Sequence, residues 1–224
     1  MDAYRRFAIY YTPPPGEFAD FGASWLGWDP RSVRAVAQPE ISGLDPGRIT
    51  QAPRKYGFHA TLKAPFRLHP DRRAEGLEAA VRAVAGRLSP VTLSGLKLSR
   101  IGSFLALTPQ GDPAALNRLA GEIVTGLDDW RAPLSDAEIA RRRPESLSAM
   151  QRRYLDKWGY PYVLDEFRFH MTLTGPLDAS DAQTVRAALV PRLALLPEPF
   201  VIDAISLVGE AGDGRFHLIR RIAL

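Results

Sequence analysis

A chain of 224 residues, 46% apolar and 24% charged, can bury a sizeable core and is ordinary in composition for a globular protein. It has no cysteine, which excludes disulfides, thiol nucleophiles and thiolate metal sites. Its net charge of +4, from 29 Lys and Arg (few of them lysine) against 25 Asp and Glu, suits a phosphate-bearing ligand but is too small to argue for extended nucleic-acid binding.

The N-terminus lacks a signal-peptide core, and no apolar run approaches the roughly 18 residues that span a bilayer, so a cytoplasmic protein without membrane association is expected. Residues 6–11 (RFAIYY) read as a strand that Pro13-Pro14-Pro15-Gly16 ends, followed by a short amphipathic helix over 18–26. Residues 29–53 read as loop with one helical turn, and residues 56–68 (YGFHATLKAPFRL) as a strand broken by Pro65. Leu77, Val81, Val84 and Leu88 give residues 74–88 helical spacing. Two alternating strands follow at 91–98 and 103–108, joined through Arg100-Ile101-Gly102. Asp112-Pro113 opens a helix that buries Leu116, Leu119, Ile123 and Leu127. Ser135 with Glu138 has the form of a capping box, and 145–158 is a further helix with Gly159 as its C-cap. Residues 162–174 (YVLDEFRFHMTLT) then read as a strand, Ser180 with Gln183 as a second capping box, and Pro191 as the end of that helix. Residues 200–208 and 215–223 are two last strands about the turn 209–214.

Two stretches repeat. His59-Ala60-Thr61-Leu62 matches His170-Met171-Thr172-Leu173, with Phe58 and Phe169 just before them, and both copies continue as helix, strand, turn, strand. His59 to Phe104 is 45 residues and His170 to Phe216 is 46, so the contexts agree in length as well as order. The inferred fold is α+β: duplicated βαββ lobes with mostly antiparallel sheets about a pseudo-twofold axis, helices on the outer faces and a helical insertion between lobes. The lobes run over about 1–111 and 161–224 and the insertion over about 112–160, all within one bilobal domain.

Alternate residues of a strand share a face. His59, Thr61 and Lys63 therefore point one way, and Arg168, His170, Thr172 and Thr174 do the same in the second copy, each set opposite apolar neighbours. That combination supplies what phosphoester cleavage needs. One neutral imidazole takes a proton from an attacking hydroxyl, and a second, protonated, gives one to the leaving oxygen. Threonine hydroxyls donate to phosphoryl oxygens, and Lys63, Tyr56, Arg100 or Arg168 binds the ester or offsets developing charge. No metal or other cofactor is implied. A zinc site needs three or four ligands; His69 and His217 have no duplicated partners, and no acidic residue shares the motif face. His69 is expected at the surface and His217 in a structural role. The runs Arg141-Arg142-Arg143 and Arg152-Arg153 fit a solvated surface, and no nucleophile elbow or phosphate-cradling loop ending in Gly-Lys-Ser/Thr is present.

Paired H-x-T-x motifs in a duplicated βαββ unit resemble the 2H phosphoesterase superfamily, which includes bacterial RNA 2′,3′-cyclic phosphodiesterases, also called 2′–5′ ligases. The stretch Tyr56-Gly57-Phe58-His59-Ala60-Thr61-Leu62-Lys63-Ala64-Pro65-Phe66, with Ile9-Tyr10-Tyr11 and Trp25-Leu26-Gly27, is similar to a bacterial branch encoded among phosphonate-utilisation genes. The resemblance implies His59 and His170 as acid–base pair, Thr61 and Thr172 as phosphate-binding hydroxyls, and a substrate such as a phosphoribosyl cyclic phosphate. The expectation is a metal-independent hydrolase of a cyclic phosphodiester or related small phosphoester. An RNA 2′,3′-cyclic phosphate end as substrate, with exposed aromatics for stacking, is one alternative; a non-catalytic phosphate-binding module is another. The dispersed Trp25, Trp28, Trp130 and Trp158 look like core and helix residues rather than a stacking platform.

Overall fold

The computed structural model describes residues 3–224. Its centre is a seven-stranded sheet made of β1 (Arg6–Tyr11), β2 (Ala60–Phe66), β3 (Gly95–Ile101), β4 (Phe104–Gln110), β5 (Met171–Thr172), β6 (Ala204–Glu210) and β7 (Phe216–Ala223). The spatial order is β7-β6-β1-β2-β5-β4-β3, and every neighbouring pair is antiparallel. The helices of ten or more residues are α1 (Glu17–Leu26), α2 (Ala74–Ala85), α3 (Ala114–Gly126), α4 (Ala149–Trp158) and α5 (Ala179–Leu189).

The duplicated order is plain in this topology. β2, α2, β3 and β4 form one βαββ unit; β5, α5, β6 and β7 form the other. The units exchange hairpins. β4 pairs with β5 of the second unit, whereas β6 and β7 lie beyond β1 on the side of β2. The two motif strands, β2 and β5, are therefore direct neighbours at the middle of one continuous sheet.

One face of the sheet is the core. Phe7, Ile9, Leu62, Leu107 and Met171 pack there with Trp25 of α1, Leu77 and Val81 of α2, Leu116 and Ile123 of α3, and Val185 and Leu189 of α5. Each such fully buried aliphatic side chain contributes about 1.5–3 kcal/mol relative to exposure. Helix α3 is thus part of this core, while α4 buries only Leu155. The other face carries a smaller cluster of Ala8, Tyr10, Val208 and Phe216, with Tyr56 against it.

Local signals mostly place the ends. Ser135 and Glu138 form a reciprocal capping box, Ser148 and Gln151 form another at the start of α4, and Gly159 closes α4 in the left-handed conformation. Helix α5 differs from expectation: its N-cap is Asp178, which accepts from the Asp181 amide, so Ser180 and Gln183 lie inside the helix. The strand expected over 91–98 divides at Ser94, because Val91–Leu93 pairs with Phe200–Ile202 in a separate ladder. The stretch expected as loop with one helical turn holds two short helices, Pro46–Ile49 and Gln51–Arg54. The largest correction is at 162–174. Only Met171 and Thr172 join the ladder, and Leu164–Glu166 is a turn of 3-10 helix. The in–out alternation still holds from Phe167 to Leu173, because an extended chain alternates whether or not it pairs.

Candidate functional site

Ala60 pairs with Met171 across β2 and β5. In an antiparallel register this sets His59 opposite Thr172 and Thr61 opposite His170. The two histidines then stand on a diagonal, which separates such positions by roughly 7–8 Å. In this register each histidine position faces the other motif's threonine position.

The ring orientations repeat as well. His59 Nδ1 lies 2.9 Å from the Gly57 carbonyl, and His170 Nδ1 lies 2.8 Å from the Arg168 carbonyl. A carbonyl only accepts, so in each ring Nδ1 carries the proton and Nε2 is left for chemistry. His59 Nε2 lies 3.1 Å from Thr61 Oγ1, placing it as acceptor of that hydroxyl in the neutral ring. Gly57 has φ of 73°, and a Cβ there would meet the Pro30 ring at 2.6 Å, so the turn that aims its carbonyl needs glycine.

Helix α1 braces both motifs from the core. Its Gly22 lies so close to Phe58 that a Cβ would fall 1.8 Å from the Phe58 ring. One turn later Trp25 Nε1 donates to the Leu173 carbonyl at 2.9 Å. The residue before His59 and the carbonyl three residues after His170 are thus held by one rigid element.

The surroundings of the two histidines differ. Tyr10 stacks on His59 with ring centroids 3.9 Å apart. Burial lowers the His59 imidazole to about 4, opposed by the Gly57 carbonyl and reinforced by His170. His170 packs on Phe104 at 5.8 Å. Phe104 and Phe216 are equivalent positions of the repeat, and through the hairpin exchange each serves the other unit: Phe216 lies 5.2 Å from the Tyr56 ring.

A groove of about 350 Å³ runs along this face. Its lining includes His59, Thr61, Thr172 and Tyr56 of the expected residues. His170 stands beside it, on the Phe104 wall. Three expected residues are elsewhere. Lys63 is 3% exposed on the core side. Tyr10 pairs with Thr61 but Ile9 pairs with Lys63, so β2 holds an extra residue there, and the bulge turns Lys63 over. Its Nζ donates to the Val124 carbonyl at 2.9 Å and Asp128 at 3.3 Å, capping the negative end of α3. Burial lowers its pKa to about 8, with Asp128 opposing. Arg100, at the tip of the β3–β4 hairpin, turns back to the Gly102 carbonyl. Arg168 is exposed and folds onto the Asp165 and Phe167 carbonyls.

Sequence reasoning missed Tyr10, Arg6, Arg142 and Tyr160, all in the groove lining. Arg6 is bound to Glu210 through both carboxylate oxygens. The signal for Tyr10 was available, since alternation in β1 puts it on the face opposite Ile9; Arg142 lay hidden in an arginine run. His217 packs between Tyr4 and Trp28, and His69 sits beside Asp71. Among the described residues no three His, Asp or Glu side chains are arranged to hold a metal, and no helix is long and apolar enough to cross a membrane.

A family model described as "Protein of unknown function (DUF1045)" matches residues 61–217. The chain is 38% identical over 222 residues to ribose 1,5-bisphosphate phosphokinase PhnN of Janthinobacterium sp. (strain Marseille), covering 95% of this chain and 49% of that one. It is 36% identical over 222 residues to the protein of the same name from Laribacter hongkongensis (strain HLHK9), covering 98% and 52%. The chain thus spans about half the length of the curated relatives it matches. Among solved structures, the crystal structure of E.coli LigT complexed with NADP+ aligns with a TM-score of 0.48 at 18% identity, over 99% of this chain and 98% of that one.

Proposed function

Because the chain belongs to the DUF1045 family, whose description assigns no activity, we propose one from the site: hydrolysis of a small cyclic phosphodiester by two histidines, without a metal, in the manner of the 2H phosphoesterases. The observation that carries this reading is the matched pair of imidazoles. Each has Nδ1 fixed on the carbonyl two residues back, and each stands opposite the other motif's threonine.

In this reading the phosphate lies between the two motifs, with the Thr172 hydroxyl, and the Thr61 hydroxyl once it turns from His59 Nε2, donating to its non-bridging oxygens. His59, held neutral above about pH 4, accepts a proton from water as the water oxygen bonds to phosphorus. The ring P–O bond breaks, and the protonated His170 gives its proton to the leaving alkoxide. The products are a phosphomonoester and a free hydroxyl, and solvent resets both rings. The burial of His59 supports this assignment of base and acid, which the pseudo-symmetry of the sequence leaves open.

The relatives are named for ribose 1,5-bisphosphate. That compound is what forms when the 1,2-cyclic phosphate of ribose 5-phosphate opens at O2. This supports a phosphoribosyl cyclic phosphate as substrate, with the kinase step carried by the half of those relatives outside the match, and a place in phosphonate breakdown. A groove of about 350 Å³ suits a sugar phosphate better than an RNA end. The test is turnover of 5-phosphoribosyl 1,2-cyclic phosphate and nucleoside 2′,3′-cyclic phosphates in the presence of a chelator. Turnover of the first, abolished in the His59→Ala, His170→Ala double variant, supports the reading; binding without turnover points to a phosphate-binding module instead.

A further inference from the structure

The groove extends past His59 along a row of aromatic side chains that the acid–base chemistry does not use. Tyr10 stacks on His59, Tyr56 lies 5.8 Å from it, and Tyr160 forms the next part of the wall. At that end stands Arg142, whose guanidinium lies over the Tyr160 ring at 4.9 Å. The chain is built to put it there. The helix Asp136–Ala140 is closed by its capping box and tied to the sheet by Arg67–Glu138. The Arg142 amide then bonds to the Ile139 carbonyl, and the chain turns at Arg143, with φ of 48°. Arg141 and Arg143 are exposed; Arg142 alone of the three lines the groove.

The charge at this end suits an anion. Arg142 takes part in none of the ion pairs among the described residues, unlike Arg6, whose charge is met by Glu210. Tyr10 also lines the groove, but its hydroxyl is buried and, among the described residues, has no hydrogen-bond partner. A half-buried guanidinium on an aromatic face at the end of a groove is a good receptor for a phosphomonoester.

We propose that Arg142, with Tyr160 and Tyr56, forms a second anion subsite that holds a terminal phosphomonoester of the substrate while its cyclic phosphodiester lies against the histidines. The proposal rests on the hydrolase reading for its reacting group, and it makes Arg142 a specificity residue rather than a catalytic one. Substrates bearing a remote phosphate are selected over those with a free hydroxyl at that place.

The test compares 5-phosphoribosyl 1,2-cyclic phosphate with ribose 1,2-cyclic phosphate, using wild type, Arg142→Gln and Arg142→Lys. Arg142→Gln should lower kcat/KM for the phosphorylated substrate by roughly tenfold or more, the worth of one hydrogen bond to a charged group. The loss should fall mainly on KM, the other substrate should be unaffected, and Arg142→Lys should lie between. An equal loss on both substrates, or no loss on either, overturns the subsite. Titration of ribose 5-phosphate by calorimetry separates this from the hydrolase reading. Binding retained in His59→Ala and weakened in Arg142→Gln, at unchanged thermal midpoint, supports the subsite even if neither ester is turned over. Equal binding to wild type and Arg142→Gln, or none to wild type, rejects it.

Discussion

His59 and His170 share a tautomer and a register but not an environment, and that difference is measurable. Replacing either with alanine should lower turnover by about 10²–10⁴-fold, the usual effect of one general acid or base. Thr61→Val and Thr172→Val should cost less, since each removes one hydrogen-bond donor and leaves both proton carriers. A nitrophenyl phosphodiester, whose leaving group needs no proton, should restore turnover to His170→Ala and not to His59→Ala; rescue of the opposite variant would reverse the assigned roles. Folding stability reports the same asymmetry. His59 titrates at 6.5 when exposed and near 4 in the fold, so between those values the unfolded chain binds more protons, and stability falls as pH drops through that window. The thermal midpoint of wild type should therefore fall faster than that of His59→Asn between pH 6.5 and 4; parallel curves would show that His59 is not shifted. The four motif residues were legible because a repeated tetrapeptide and strand alternation needed no knowledge of contacts. Lys63 was misread because a one-residue bulge reverses a face, and nothing in ATLKAPF announces where the bulge falls. Arg142 was passed over because a run of three arginines does not say which one turns inward.

Helix α1 and the bulge in β2 are the elements that hold the site. Gly22→Ala would drive a methyl into the Phe58 ring, and strain of this kind costs about 1–3 kcal/mol. Phe58 directly precedes His59, so that variant should lose turnover together with thermal stability. Lys63→Met should behave differently. It leaves the Val124 carbonyl at the end of α3 without its cation, at a cost of roughly 1–3 kcal/mol, yet should keep near wild-type turnover, because Lys63 lies on the core side. Unfolding and rate measurements on both variants check this; a Lys63→Met protein that folds as stably as wild type but turns over slowly would return Lys63 to the groove. Capping boxes and the Gly159 C-cap were readable from local chemistry. The stretch 162–174 was not, because the apolar–polar alternation of an extended loop packed on a core equals that of a paired strand, and only tertiary partners tell them apart.

At the scale of the molecule, exchanged hairpins bring two halves of one chain to a single site. The repeat in the sequence showed two units of equal order and spacing, but not which hairpin would pair with which motif strand, since that choice depends on long-range packing. The exchange places Phe104 of one unit beside His170 of the other and Phe216 beside Tyr56. Activity should survive exhaustive chelation and not rise with added zinc; loss to a chelator with recovery on zinc would favour a metallohydrolase. The central claim is tested most directly by incubating 5-phosphoribosyl 1,2-cyclic phosphate with wild type, His59→Ala and His170→Ala in chelator and following phosphorus resonances. The account predicts conversion to ribose 1,5-bisphosphate by wild type and a slowing of about 10²–10⁴-fold in each variant, whereas near wild-type conversion by either single variant would contradict it.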